Sequence, residues 1–403
     1  MSRIKIEGGD TLLAGVLGMP SADIRNAIVC RDNYKIKHIV KKSGGRRRLS
    51  IPCKSVKKFQ KLFLKKFLYC LIERGVLDKN MTGFLPGVSV KDNALVHLNE
   101  NLQYVVRLDF KNAFPSVSFR VVKEVLLHHV KNEIGTYRAV EIQRLLGKKI
   151  NYPEPVLFSM RKVKWFRELV SSLSVDNSAS YYLDYIVDGF IEMAAYLLTY
   201  KGKLPQGAPT SPFMLNLTVS YLKILDRIRE FLKQNNIDSQ VSIYADDIVI
   251  SAKERINFGL IRGLIGVVEA SRVFRINRAK ILRFDINQTA PLITGFRLIR
   301  IRSVNRKLTE SWLARLPRKI KATVEERLFY NPQSPFINIT LPQKQIKKIR
   351  GIIHRAIYQP GLASKVNGYV AYLKDIYGEH LPRQIVEPYK KYLLVNQKDP
   401  EVV

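Results

Sequence analysis

The amino-acid sequence predicts an α+β protein, and three observations carry that prediction. Val241-Ser242-Ile243 and Ile248-Val249-Ile250 are β-branched runs flanking a short polar break, the pattern of two strands joined by a tight turn. Val105-Val106-Arg107-Leu108-Asp109-Phe110 reads as a third, buried strand that ends in an acid. From about residue 305 the pattern turns helical and basic, over Trp312 to Leu328, Gln343 to Tyr358 and Ser364 to Tyr377. A boundary is therefore expected near residue 300. With no internal repeat and no low-complexity linker, the lobes should pack into one body.

At 403 residues and 46% hydrophobic, the chain can bury a large core and form two or three domains or subdomains. Its charge is unusual: 68 Lys and Arg against 34 Asp and Glu give +34. Folding does not require such an imbalance, because self-repulsion opposes compaction. It suits a protein that wraps a polyanion and gains affinity by releasing condensed counterions. Membrane attachment is not expected: no run of eighteen apolar residues occurs, and the N-terminal stretch is no signal peptide. Cys30, Cys53 and Cys70 lack metal-ligand spacing and cannot all pair, so neither zinc nor a disulfide framework is expected.

In chain order, residues 20–40 read as a helix capped by Ser21 and then a strand, Tyr34 to Val40. Lys41-Lys42-Ser43-Gly44-Gly45-Arg46-Arg47-Arg48 makes a turn between cation-rich strands. Such a hairpin can close over a triphosphate or coat an RNA backbone, and this stretch alone leaves both open. Lys54 to Arg74 is an amphipathic helix with Phe59, Leu62, Phe63, Phe67, Leu68 and Leu71 on its core side. Asp92 or Asn93 can cap a helix, and His97 then shares a face with Asn93. Residues 120–200 are mostly helical. Leu204-Pro205-Gln206-Gly207-Ala208-Pro209 is a rigid turn that lets a flat ligand approach the backbone, and it opens a helix through Asn216 and Leu225. Pro291 to Phe296 reads as a strand with a kink at Gly295.

The chemistry centres on Asp246 and Asp247. Adjacent acids inside an apolar hairpin, with no Lys or Arg within four residues, call for a counter-charge from outside the chain, and a divalent metal is one candidate. A plain hairpin tip with two solvated acids is the alternative. Asp109, at its own strand end, supplies the further carboxylate that a two-metal phosphoryl-transfer site needs: Asp109 and Asp246 as ligands, Asp247 supporting the local charge.

Taken in order, these stretches resemble the reverse transcriptases, and the bacterial retron branch above all. Arg47-Arg48-Leu49-Ser50-Ile51-Pro52 resembles the fingers motif, Asp109 with Phe114 the first palm motif, and Gln206-Gly207-Ala208-Pro209 the second. Tyr244-Ala245-Asp246-Asp247 matches the catalytic motif, and Asn277 with Lys280 the fourth. Asn93, Ala94 and His97 match the retron Asn-Ala-x-x-His motif, and Ile293-Thr294-Gly295 its Val-Thr-Gly motif with Ile in place of Val. Ser364-Lys365-Val366-Asn367-Gly368-Tyr369 resembles the thumb helix. The likeness runs over roughly residues 20–380.

The resemblance implies a right-hand polymerase fold: fingers and N-terminal helices over 1–104, and a palm of antiparallel sheet plus helices over 105–300 with a helical insertion near 120–200. A helical thumb with a short tail follows over 301–403. It implies Asp109, Asp246 and Asp247 as catalytic, metal-binding residues for two Mg²⁺ ions, and Arg47, Lys42, Phe114, Gln206 and Lys280 as dNTP contacts. Asn93, His97, Thr294, Gly295 and Lys365 are expected to meet nucleic acid. Phe114 would sit where a ribose 2′-hydroxyl must go, selecting dNTPs; Lys280 would pair with a phosphate or protonate departing pyrophosphate. A retron enzyme copies a structured noncoding RNA into single-stranded DNA (msDNA) in the bacterial cytoplasm, beside a separately encoded effector protein in antiphage defence. The competing expectations are an abortive-infection or RNA-making polymerase of the same fold, or an RNA-binding scaffold with a vestigial palm.

Overall fold

A computed structural model describes residues 13–14, 17–40, 44–72, 75–98, 103–129, 177–289, 291–300, 337–377 and 381–395. Helix α1 (Ser21–Val29) buries Ile24 and Ala27 and leads into a hairpin of β1 (Tyr34–Val40) and β2 (Arg46–Pro52). Ser21 does not cap α1: Pro20 holds the cap position, with no side-chain cap bond. Gly44 and Gly45 take φ of 83° and 75° in the hairpin turn, which glycine adopts without steric cost. Lys42 and the Trp312–Leu328 stretch lie outside the described residues, as do 130–176 of the expected insertion.

The expected amphipathic helix begins as α2 (Lys54–Phe63) and continues through a π-turn (Leu64–Leu68) and a 3-10 turn (Tyr69–Leu71). Phe59, Phe63 and Phe67 stack along its buried face with ring centroids 5.7 and 4.8 Å apart. Helix α3 (Val90–Leu95) is capped by Ser89, not by Asp92 or Asn93. Asp92 instead accepts from the Ser89 N–H at 2.6 Å, closing a capping box.

The central sheet is antiparallel, in the order β4 (Ser239–Tyr244), β5 (Asp247–Ala252), β3 (Tyr104–Asp109), β6 (Leu282–Asp285). Its side chains alternate between two cores, as the two-residue period of a strand demands. Val106, Leu108, Ile248 and Ile250 join the larger core with Phe59, Phe190 and Phe213. Val105 and Val249 face a second core with Ala94, Ile293, Phe296 and the C-terminal helices. Between β3 and β4 lie the short helix α4 (Ala113–Ser116), helix α5 (119–129), α6 (Asn177–Leu198), α7 (Ser211–Tyr221) and α8 (Ile224–Gln234). The helix expected to run from Ser211 through Leu225 is broken, because Lys223 takes a left-handed φ of 51°.

Helix α9 (Phe258–Glu269) follows β5. Beyond β6, β7 (Leu292–Ile293), β8 (Phe296–Arg300) and β9 (Ile337–Thr340) make a small antiparallel sheet. Thr294 and Gly295 are a turn here and not a kink within one strand, since φ of 46° and 99° at adjacent residues reverses the chain. Three helices finish the second core: α10 (Gln343–Ala356), α11 (Ala363–Tyr377) and α12 (Arg383–Val395). Helix α12 stands where a short tail is expected, and its Ile385, Tyr392 and Leu393 are buried. No described helix is long and apolar enough to cross a membrane.

Candidate active site

The antiparallel register brings the three acids together. Asp109, the last residue of β3, pairs with Asp247, the first of β5, and Asp246 fills the two-residue turn before it. The Asp246 carbonyl accepts from the Phe110 N–H at 2.9 Å, tying that turn to the end of β3. Burial raises the Asp246 carboxyl above the usual carboxylate range, and the charges of Asp109 and Asp247 push it the same way. Burial also raises Asp247, only partly offset by Arg107.

Two cations answer these charges: Arg107, which the sequence did not single out, and Lys280, expected instead as a nucleotide contact. Arg107 Nη2 lies 3.2 Å from Asp247 Oδ2, while its Nη1 donates to the Leu292 carbonyl at 2.9 Å. Lys280 Nζ donates to both oxygens of Asp109, at 2.8 and 3.0 Å. Asn277 adds its backbone N–H to the Asp109 carbonyl at 2.7 Å. Among the described residues no group of three or more His, Cys, Asp or Glu side chains forms a ready-made metal cage. The repulsion on Asp246, which Lys280 only partly offsets, is the feature that a divalent cation would fit.

A cleft of about 520 Å³ opens over Asp109 and Asp246, lined also by Arg47, Phe114, Gln206 and Lys280, with Asp247 outside its lining. Arg46, Arg48 and Lys203 add charge to its walls, a contribution the motifs did not single out. The cationic hairpin is docked, not free: the Ser50 N–H donates to the Gln206 carbonyl at 2.7 Å. Gly207 permits this approach, because at φ of 114° any Cβ there would meet the Ser50 carbonyl at 3.2 Å. Phe114 sits in α4, entered through Asn112 at a left-handed φ of 53°. Its ring packs on the core while remaining partly exposed to the cleft.

The residues expected to meet nucleic acid are placed differently. Asn93 and His97 have no accessible surface, so neither contacts a ligand directly. His97 instead bridges Ser242 Oγ and Ser251 Oγ, each at 2.7 Å, and Asn93 Oδ1 accepts from Ser242 and Thr82 at 2.8 and 2.9 Å. Burial pushes the His97 imidazole down to about 3, keeping it neutral. Thr294 donates its hydroxyl to the Val90 carbonyl at 2.8 Å, and Gly295 beside it is half-buried. Lys365 is exposed on α11, outside the cleft.

Sequence reading missed the segment Asn80–Phe84, which runs beside β4. The Thr82 N–H donates to the Ile243 carbonyl, and Ile243 donates to Asn80, both at 3.0 Å. Gly83 lies so close to the turn that a Cβ would fall 2.5 Å from the Ala245 nitrogen. Asn216 Nδ2 on α7 fixes it by donating to the Gly83 carbonyl at 2.6 Å.

No protein-family model matches the chain. The retron Mx65 reverse transcriptase of Myxococcus xanthus is 31% identical over 120 residues, 28% of this chain and 27% of its own. The aligned stretch thus spans about a quarter of that relative's length. The retron Ec73 reverse transcriptase of Escherichia coli is 21% identical over 84% of this chain and 81% of its own. The retron Mx162 reverse transcriptase of Myxococcus xanthus is 27% identical over 59% and 41%. Among solved structures, the telomerase of Candida albicans in complex with a telomeric RNA fragment aligns over 91% of this chain and 61% of its own, at 13% identity and a TM-score of 0.43. The three curated relatives agree with one another: the chain resembles the retron reverse transcriptases.

Proposed function

We propose that the chain is an RNA-directed DNA polymerase of the retron type, with the β1–β2 hairpin as fingers, the four-stranded sheet as palm and the C-terminal helices as thumb. One observation carries the reading: Asp109 and Asp246 share a single cleft with Arg47, Phe114, Gln206 and Lys280. Carboxylates and cations around one cleft suit the reacting phosphate and the triphosphate tail of a nucleotide. Two Mg²⁺ ions held by Asp109 and Asp246, with Asp247 adding charge, would supply activation of a primer hydroxyl and neutralise departing pyrophosphate.

The chain's own groups do the rest. Arg47 binds the triphosphate as a fixed fork, and Lys42, outside the described residues, is assigned the same ligand. Gln206, on a turn bonded to β2, orients the nucleotide. Phe114 closes the space a ribose 2′-hydroxyl needs, favouring dNTPs. Lys280 holds Asp109 in place and can exchange that partner for a phosphate oxygen. The +34 charge serves a structured noncoding RNA template and its msDNA product, with Lys365 on the thumb surface. A bacterial cytoplasmic setting, antiphage defence and a separately encoded effector complete the reading.

The test is to purify the protein with its bound nucleic acid and treat it separately with RNase and DNase. A discrete DNA joined to RNA, absent from Asp246→Ala while RNA stays bound, is the expected result. RNA alone in both preparations, with no dNTP incorporation by the purified complex, overturns the reading in favour of a scaffold.

A further inference from the structure

We infer that helix α3 is a strut linking the Asp246–Asp247 turn to the Thr294–Gly295 turn, and that Asn93, His97 and Thr294 are its positioning residues. The chemistry the strut serves rests on the polymerase reading; its contacts do not.

The turn it holds needs holding. Only Ala245 and Asp246 connect β4 to β5, and Ala245 takes φ of 60°, at a position where such two-residue turns favour glycine. A side chain in that conformation persists only where its surroundings over-determine it.

His97 braces the two strands that carry the turn, at serines four residues from Asp246 and Asp247. Its two ring nitrogens reach one serine on each strand of the hairpin, Ser242 on β4 and Ser251 on β5. The directions of the bonds follow from counting protons. Ser242 gives its hydroxyl proton to Asn93 Oδ1, so towards His97 its oxygen can only accept. His97 therefore carries its proton on Nε2, and Nδ1 accepts from Ser251. One neutral imidazole thus ties β4 to β5 with a donor on one side and an acceptor on the other. Ser251, Val249 and Asp247 alternate onto one face of β5, so the tie acts on the face that carries Asp247.

The opposite end of the helix is fastened too. Thr294 Oγ1 donates to the Val90 carbonyl at 2.8 Å, and the Ser89–Asp92 capping box fixes the first turn. Ala94 is fully buried in the second core, so the helix has little room to shift sideways. Six residues at the helical rise span roughly 9 Å. A rod that short, fastened at both ends, passes a displacement on and does not absorb it. An apolar contact would hold these elements together without fixing their register, whereas the directional bonds from Asn93 through Ser242 and His97 to Ser251 restrict it, although Asn93 Nδ2 has no partner among the described residues.

The test compares His97→Ala, His97→Gln, the double variant Ser242→Ala/Ser251→Ala, their combination, and Thr294→Val, all as full-length protein with its bound RNA. DNA synthesis and amide hydrogen exchange are both read. His97→Ala and the double serine variant should each lower kcat roughly tenfold, as expected for a small misplacement of reacting groups. KM for dNTP and RNA affinity should stay within about twofold, because nothing that binds substrate has been removed. The combination should lose no more than either alone, since both break one tie. His97→Gln, which keeps a donor and an acceptor, should recover part of the loss. Exchange should quicken over 241–250 and leave β1–β2 unchanged. Thr294→Val should quicken exchange over 241–250 as well as at its own turn, and it disturbs no buried network should His97→Ala fail to fold. Additive losses, a fall in RNA affinity with kcat intact, or exchange changes that never cross from one turn to the other overturn the strut. Wild-type protein that makes no DNA sinks the polymerase reading alone, and the exchange coupling then decides the strut by itself.

Discussion

Replacing Gly83 by Ala adds one methyl group at the most crowded approach to the acidic turn. That Cβ would fall 2.5 Å from the Ala245 nitrogen and 3.2 Å from Tyr244 Cα, all of it backbone that cannot swing aside. Restoring an ordinary contact of 3.4 Å moves the two segments apart by about 0.9 Å. Retreat of Gly83 is opposed by Asn216, whose amide holds its carbonyl, and by the Thr82 N–H bond to Ile243. The turn therefore gives way and carries Asp246 with it. Overpacking of this kind costs about 1–3 kcal/mol, and a displacement near 1 Å at a reacting group costs roughly a hundredfold in rate. Urea unfolding and single-nucleotide incorporation measure the two separately. Gly351→Ala is the control: a Cβ there meets open space in the middle of α10, so it should stabilise by about 0.5–1 kcal/mol with no effect on rate. Wild-type stability and wild-type rate in Gly83→Ala would refute the packing of Asn80–Phe84 against the turn.

Three more outcomes follow from the same site. Asp246 binds its proton more tightly folded than unfolded, so the stability it gives is present below its unfolded value near 3.8 and is lost as pH rises through the folded value. Asp246→Asn should therefore raise Tm at pH 7 and lose that advantage below pH 3.8, while Mg²⁺ should raise Tm in wild type far more than in Asp246→Asn. Equal Mg²⁺ stabilisation of both proteins would remove Asp246 from the cation site. Arg107→Met leaves the Asp247 carboxylate without its ion pair and should destabilise by about 1.5–3 kcal/mol at pH 7, a penalty that shrinks in acid as Asp247 takes a proton; urea unfolding at both pH values checks it. Phe114→Ala should raise the rNTP-to-dNTP ratio of kcat/KM by roughly tenfold or more, and unchanged sugar selectivity in competition assays would place the ring away from the sugar.

The sequence by itself determined what local period and residue chemistry can encode. The hairpin at Asp246 was legible because β-branched runs flank a polar pair, and its strands end at Tyr244 and begin again at Asp247. The basic hairpin and the buried stripe of α2 were legible for the same reason: a repeat of two or of 3.6 residues names the element and its buried face. Three elements were misread where two local signals competed. Thr294–Gly295 passed for a kink, Ser211 to Leu225 for one helix, and α12 for tail, because one or two left-handed residues decide a break and short amphipathic runs look alike.

Tertiary structure alone decided which face meets which. A two-residue period says that Ser242 and Ser251 point out of a sheet, and nothing in it says that His97 waits there. Motif reading assigned His97 and Asn93 to nucleic acid, whereas a fully buried imidazole between two hydroxyls braces the turn. Lys280 and Arg107 stand far from Asp246 and Asp247 in the chain, and only the order of strands sets Lys280 on Asp109 and Arg107 on Asp247. Gly83 carries no signal at all until the backbone of Ala245 lies against it. Side-chain chemistry is written residue by residue, but contact depends on loop closure between distant segments, and no local period records that.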